Sequence, residues 1–319
     1  MKAVTIISKV VAFALVLAWQ PVSAAVAVPL SGSGTESDPY KIMSAGDWNA
    51  LAAYMDDSGD SMGGQSIELG ADLDFSHTAF SPVGEFDGIF DGAGHRISGI
   101  EYNVTATRQG VFGRLMQNGS IRNLTLQGKV VSAHNYTAAF AGVVSGTIEN
   151  CVNEIDVTAS ASYTAGFAGQ ADAGARFVNC VNKGEISSSG SYVAGIVAAG
   201  GAGVTYSRCV NDGVVDNTGL GSYTAGIVAV SLPSSFDRCI NSGEIVIANT
   251  AKAQCVAGIL AWANNVKGAS DDTFEFSGCE NDAYINAAGI VAGIVGDVTL
   301  EGSGTVTNGV VLNMEDCIN

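Results

Sequence analysis

The chain has 319 residues, 41 of them glycine, about twice the usual share, and only 14% are charged where an ordinary soluble domain carries ~25%. Acidic residues outnumber basic ones 31 to 14, for a formal net charge of −17, and 47% of the chain is hydrophobic. These figures exclude a disordered chain, which cannot be so apolar, and a collagen, whose glycines recur every third residue. They also exclude a nucleic-acid binder, which needs a basic footprint for phosphates.

Lys2 and Lys9 flank the start of an apolar run, Val10–Trp19, and Val22-Ser23-Ala24 follows with the small-residue spacing of a signal-peptidase site. Residues 1–24 are therefore predicted to be a signal peptide cleaved after Ala24. The apolar run is short of the ~20 residues that span a membrane. Ala287–Gly296 is apolar but also too short. No cysteine adjoins the cleavage site to carry a lipid anchor. Cleavage leaves 12 basic against 31 acidic residues, a mature charge of −19. The expectation is a secreted or cell-surface protein that is not integral to the membrane.

Residues 25–100 are predicted to form an N-terminal cap and the first coil or coils. Ser44-Ala-Gly-Asp47 has a helix-capping arrangement, with Asp in place of the usual Glu, ahead of Trp48–Met55. A short helix there would cover the open end of a core with Trp48, Leu51 and Met55. From residue 101 to Asn319 the chain repeats. Ile148-Glu-Asn-Cys151-Val-Asn153 recurs around Cys180, Cys209, Cys239, Cys279 and Cys317, with Leu124 in the cysteine slot of an earlier copy. Successive slots lie 27, 29, 29, 30, 40 and 38 residues apart.

A second phrase lies between these copies. It reads Tyr163-Thr-Ala-Gly-Phe-Ala-Gly169 or Tyr192-Val-Ala-Gly-Ile-Val-Ala198, starts also at Tyr136 and Tyr223, and has degenerate copies at Cys255 and Ile290. A third, weaker run follows each Asn turn, as in Gly184-Glu-Ile186. Each unit thus offers three short β-prone stretches divided by Gly, Asn and Ser, with no helix-length periodicity. A fixed period near 29 residues is not explained by a β-sandwich. The predicted fold is all-β: a right-handed parallel β-helix of about seven coils with a small N-terminal α/β cap. At ~4.8 Å per coil, seven coils make a rod roughly 34 Å long. The longer spacings predict loops thrust out around Lys252–Asp272 and Asp297–Asn308. Asn319 falls inside a repeat, which reads as a truncated chain or an open end that docks on something else.

Tyr-Val-Ala-Gly-Ile-Val resembles the GLUG repeat of bacterial surface proteins, including the β-helical part of immunoglobulin A peptidases. Gly34-Thr-Glu-Ser-Asp-Pro-Tyr40-Lys-Ile42 and Phe86-Asp-Gly-Ile-Phe-Asp-Gly-Ala-Gly-His95-Arg-Ile97 are similar to phrases that precede such repeats. The resemblance covers roughly residues 32–319. It implies the architecture and an exported setting, and it spans adhesins, peptidase scaffolds and uncharacterised proteins.

Stacked coils turn recurring residues into columns. Cys151, Cys180, Cys209, Cys239 and Cys279 would stack ~5 Å apart, and Leu124 in the same slot favours an inward thiol ladder over disulfides. Asn153, Asn182, Asn211 and Asn241 would form a structural amide ladder at a turn where left-handed backbone is tolerated. Tyr136, Tyr163, Tyr192 and Tyr223 would form an aromatic column, either packing at a corner or facing out to stack on sugar rings or a protein partner.

No catalytic constellation emerges. Gly59-Asp-Ser61-Met-Gly63 has the spelling of a nucleophile elbow, but a helix precedes it and a loop follows, so a turn is expected. His77, His95 and His134 lack metal-ligand spacing, and no calcium-loop pattern occurs, so no metal or cofactor is predicted. The acidic candidates Asp72/Asp74, Asp87/Asp91, Asp56/Asp57/Asp60 and Asp271/Asp272 do not gather on adjacent coils with a basic partner. The expected function is non-catalytic: an adhesin-like binding or scaffold module whose partner is a host or bacterial surface glycan or protein. The alternatives are a carbohydrate-active β-helix enzyme, of polysaccharide lyase or glycoside hydrolase type, and a non-catalytic arm of a larger surface peptidase.

Overall fold

A computed structural model describes residues 27–219, 223–248, 254–266, 273–287, 289–301 and 311–319. The predicted signal peptide lies outside the described residues. The described residues form a parallel β-solenoid of about seven stacked coils with one α-helix near its start. Four parallel sheets of ten, twelve, eight and six strands build the stack, the six-stranded one starting only at Thr137. One coil reads Arg176–Val178, Val181–Asn182, Ile186–Ser188, Val193–Ala194 and Val197–Gly200. That makes five short strands where three stretches were expected. The second phrase breaks at its glycine, Gly195, and contributes a strand to each of two sheets.

Register follows the repeat. Ile121, Ile148, Phe177, Tyr206, Phe236, Phe276 and Met314 are successive β-partners. Tyr223 pairs with Cys255, and Cys255 with Ile290, so the degenerate copies stay in phase. Much of the stretch expected to leave the stack does not. Gln254–Ala257 and Leu260–Val266 are strands within it, and Leu260–Val266 pairs with Val295–Glu301. Residues 267–272 and 302–310 lie outside the described residues.

The helix, α1 (Ala45–Ser58), starts at Ser44, whose side chain accepts from the Asp47 amide, while Asp47 accepts from the Met43 amide at 2.9 Å. This is close to a capping box, with aspartate in the return position and its bond taken from the amide one residue before the cap. Gly59 closes the helix in left-handed conformation. Trp48, Leu51, Ala52 and Met55 are buried against the first coils, where Trp48 meets Phe90 and Phe112 edge-on.

Aromatic stacks continue the core up the rod: Phe140 on Phe167 at 4.6 Å, then Phe177, Tyr206, Phe236 and Phe276 at 4.7–5.6 Å. All seven cysteines are free thiols. Cys151, Cys180, Cys209, Cys239 and Cys279 point inward and are fully buried. Cys180, Cys209 and Cys239 donate to the carbonyls of Ile148, Phe177 and Tyr206 in the preceding coil at 3.4–3.5 Å. Burial pushes the Cys151 thiol up to about 12 and the next three upward as well, as it must for a thiolate with no water.

The asparagine column is a continuous amide chain. Asn153 donates to Asn182 at 2.7 Å, Asn182 to Asn211 and Asn211 to Asn241 at 2.8 Å, and Asn241 to Asn281 at 2.9 Å. A second amide hydrogen on Asn182 and on Asn211 goes to the carbonyl two residues on, at 2.9–3.0 Å. The chain explains the glycine of the second phrase. A Cβ on Gly195, Gly226 or Gly258 would sit closer than 3.0 Å to the amide oxygen of Asn211, Asn241 or Asn281. The left-handed residue, however, is not this asparagine but the one before the cysteine: Asn150, Asn179, Arg208 and Arg238, with φ 49–53°. The ladder amides need extended backbone to point inward, so the sharp turn falls three residues earlier.

Candidate functional site

The tyrosine column stands at a corner between two sheets. Tyr136, Tyr163 and Tyr192 have φ of 60–68°, an uncommon state for a bulky side chain, enforced here by the coil on either side. Their rings are half-buried and parallel: 4.4 Å from Tyr136 to Tyr163, 4.7 Å to Tyr192 and 5.5 Å to Tyr223, tilted by no more than 10°. Trp262 extends the stack at 4.6 Å from Tyr223, and the Arg108 guanidinium lies 5.4 Å over the ring of Tyr136 at the other end. All four sequence-predicted tyrosines therefore join one stack. The sequence reading missed both of its ends. Arg108 could have been found as the residue before Gln109, which bridges to Thr137 as each copy does to the next.

Mutual stacking alters what the column can bind. The ring faces cover one another, so a sugar cannot lie flat on each tyrosine as the sequence suggested. The stack offers a ribbon of ring edges instead. That ribbon forms one wall of a groove of about 340 Å³. The floor is a row of outward residues in register, Gln170, Ala199, Val230 and Trp262. At one end Asp172 accepts from Gln170 at 2.8 Å, Arg114 at 2.9 Å and Ser145 at 2.7 Å. At the other end stands Asn264, only 8% exposed, whose Oδ1 has no hydrogen-bond partner among the described residues.

The remaining candidates are turned to structural work. Asp72 accepts from His95 Nδ1 and the Arg96 amide, which hold its carboxyl below the usual range. Asp74 caps the turn at Ser76, and Asp87 holds Asn118. Partial burial would raise the carboxyl of Asp91, but bonds from Asn123, Ala93 and Arg122 outweigh it and lower it. Ser61 lies in a turn after α1, its carbonyl accepting from the Asp87 amide at 2.7 Å. Asp271 and Asp272 lie outside the described residues. Among the described residues no three His, Cys, Asp or Glu side chains come together as a metal site.

The chain is thus a parallel β-solenoid with a lateral groove beside a stacked aromatic corner. Comparison with known proteins places it more narrowly. It shares its fold with the crystal structure of a candidate immunoglobulin A1 protease from Bacteroides ovatus, at a TM-score of 0.60 and 18% identity, over 90% of this chain and 86% of that one. Among curated sequences it is 32% identical over 120 residues to a candidate Gly-rich membrane protein of Evansella cellulosilytica. It is 30% identical over 131 residues to halomucin of Haloquadratum walsbyi. Each match takes in 36% of this chain, but only 14% and 1% of those much longer proteins. No family profile matches the chain. Among the described residues no helix is long and apolar enough to cross a membrane.

Proposed function

We propose that the chain is a non-catalytic β-solenoid module of an exported or cell-surface protein, adhesin-like in action, which binds a partner along the tyrosine corner. The observation that carries this reading is the Tyr136–Tyr223 stack, its first three members in left-handed backbone on successive coils, beside an open groove. A purely structural corner needs no aromatic there, since Cys255 and Ile290 fill the same column further on. Equivalent edges repeating at a fixed rise let weak contacts on neighbouring coils reinforce one another. The curated relatives, a Gly-rich membrane protein and halomucin, suit a surface setting. Four carboxylates that a carbohydrate-active enzyme could have drawn on, Asp72, Asp74, Asp87 and Asp91, are engaged in turns and coil-to-coil ties.

The test is attachment of fluorescent beads carrying the protein to bacterial and host cells. Tyr163→Ala combined with Tyr192→Ala should reduce attachment at least tenfold while the chain still unfolds cooperatively. Unchanged attachment by that folded variant would reject the reading. The second reading, a non-catalytic arm of a larger surface peptidase, is favoured by the fold shared with the candidate immunoglobulin A1 protease.

A further inference from the structure

We propose that the groove beside the tyrosine stack takes a neutral saccharide, one or two rings long, held by Asn264 at one end and by the Gln170–Asp172 pair at the other. The inference rests on the binding reading above and gives that site a ligand class.

Size comes first. Gln170 and Trp262 are separated by three coil-to-coil steps through Ala199 and Val230, so the two ends stand ~14 Å apart at ~4.8 Å per step. The two residues between them are small, and Gly200 and Gly201 continue the hollow beside Ala199. The trough is therefore about two coils long, ~10 Å, which admits one or two pyranose rings.

Charge comes second. Among the described residues lining the groove the one ionic group is Asp172, and Arg114 pairs with it at 2.9 Å, which neutralises its charge. The chain as a whole is at −17, which repels an anionic glycan. A fully apolar ligand would bury the Asp172 cluster and Asn264 without compensation.

Hydrogen bonding comes third. The buried Oδ1 of Asn264 is an acceptor without a donor among the described residues, a state that costs free energy until something supplies an N–H or O–H. A peptide could bring N–H groups, but strand addition needs a free sheet edge. Ala168–Ala171 and Val197–Gly200 are paired with neighbouring coils on both sides. A peptide here would leave most of its own amides unsatisfied. A sugar brings several hydroxyl donors in a compact ring whose C–H faces can pack on the tyrosine edges and Val230.

The experiment is a printed array of neutral, sialylated and sulfated oligosaccharides, followed by calorimetry with the best-binding neutral disaccharide. The wild-type chain should bind neutral glycans in preference to charged ones. Asn264→Leu, close to isosteric, should weaken binding about tenfold through loss of one hydrogen bond. Ala199→Trp, at a half-buried surface position that leaves the ladders untouched, should abolish it by filling the trough. Ala199→Trp also covers the case in which Asn264→Leu fails to fold. Binding unaffected by Ala199→Trp, preference for charged glycans, or no neutral glycan bound would each overturn the proposal. If the tyrosine variant loses cell attachment but no saccharide binds, the ligand class falls and the display reading survives. If attachment persists in that variant while Ala199→Trp abolishes saccharide binding, the display reading falls and the sugar site survives.

Discussion

Replacing Asn211 by Ala probes the amide chain at its middle. Asn211 is fully buried, accepts from Asn182, donates to Asn241 and donates again to the Gly213 carbonyl, all at 2.8–2.9 Å. Truncation leaves three buried polar groups short of a partner, in adjoining coils. At about 1 kcal/mol for each lost bond, plus a small void, the expected cost is about 3–5 kcal/mol. Asn281, nearer the end of the described ladder, is 8% exposed and accepts from Asn241 at 2.9 Å but donates only over 3.3 Å, so Asn281→Ala should cost less, about 2 kcal/mol. A solenoid can open locally, so the measurement is urea unfolding combined with amide hydrogen exchange along the rod. Protection should fall most around residues 182–184 and 211–213. Equal costs at the two positions, or less than about 1 kcal/mol at Asn211, would refute the chain as a cooperative element. Gly195→Ala should be damaging too and should not be rescued by Asn211→Ala, because the added Cβ would also strike the Gly226 carbonyl.

Other expectations follow from single contacts. The Tyr206 hydroxyl is fully buried without a well-formed bond and sits where a Cβ on Gly200 would lie, 2.5 Å away. Tyr206→Phe should therefore stabilise or leave unchanged, whereas Gly200→Ala alone should cost about 1–3 kcal/mol and be relieved only in part by Tyr206→Phe, because the added Cβ would also lie 2.5 Å from Ser231 Oγ; fully additive melting shifts would disprove this coupling. Trp262→Ala, at the buried end of the tyrosine stack, should cost about 3–5 kcal/mol and quench the aromatic near-ultraviolet dichroism, and retention of that signal would argue against the stack. Alkaline pH tests the thiol ladder. Above about pH 8.5 unfolded thiols ionise while the buried ones stay protonated, Cys151 to about 12. The unfolded state then binds fewer protons, so stability should fall as pH rises. Cys180→Ala with Cys209→Ala should flatten that slope; an unchanged slope would exclude the ladder as its source.

The repeat was legible because each coil spends its distinctive residues on inter-coil contacts. Cys180 and Asn182 meet Cys209 and Asn211 of the next coil and Phe177 stacks on Tyr206, so the sequence period and the β-register coincide. Other features were not legible for physical reasons. The left-handed position before the cysteine accepts Asn, Arg, Gly or Asp, so no residue type marks it. Gly195 and its equivalents look like turn residues, yet their φ is ordinary and their role is to clear space for an amide. Trp262 joins the tyrosines from the adjoining sheet, seven residues past Cys255, and no alignment of the tyrosine slot could point to it. The tyrosine column itself was visible, but whether its rings showed faces or edges depended on the coil rise, which closes the gap between rings to 4.4–5.5 Å.

The amide chain also has a direction. From Asn153 to Asn241 each side chain gives one N–H to the later coil, and each oxygen from Asn182 onward accepts from the earlier one, so the small dipoles add rather than cancel. The column is therefore vectorial. Its first member, Asn153, lies beside Leu126 of the coil before it, so the run of amides begins inside the stack and not at its end. A further coil can join this column on its later side only, and only by offering an amide oxygen to the waiting N–H.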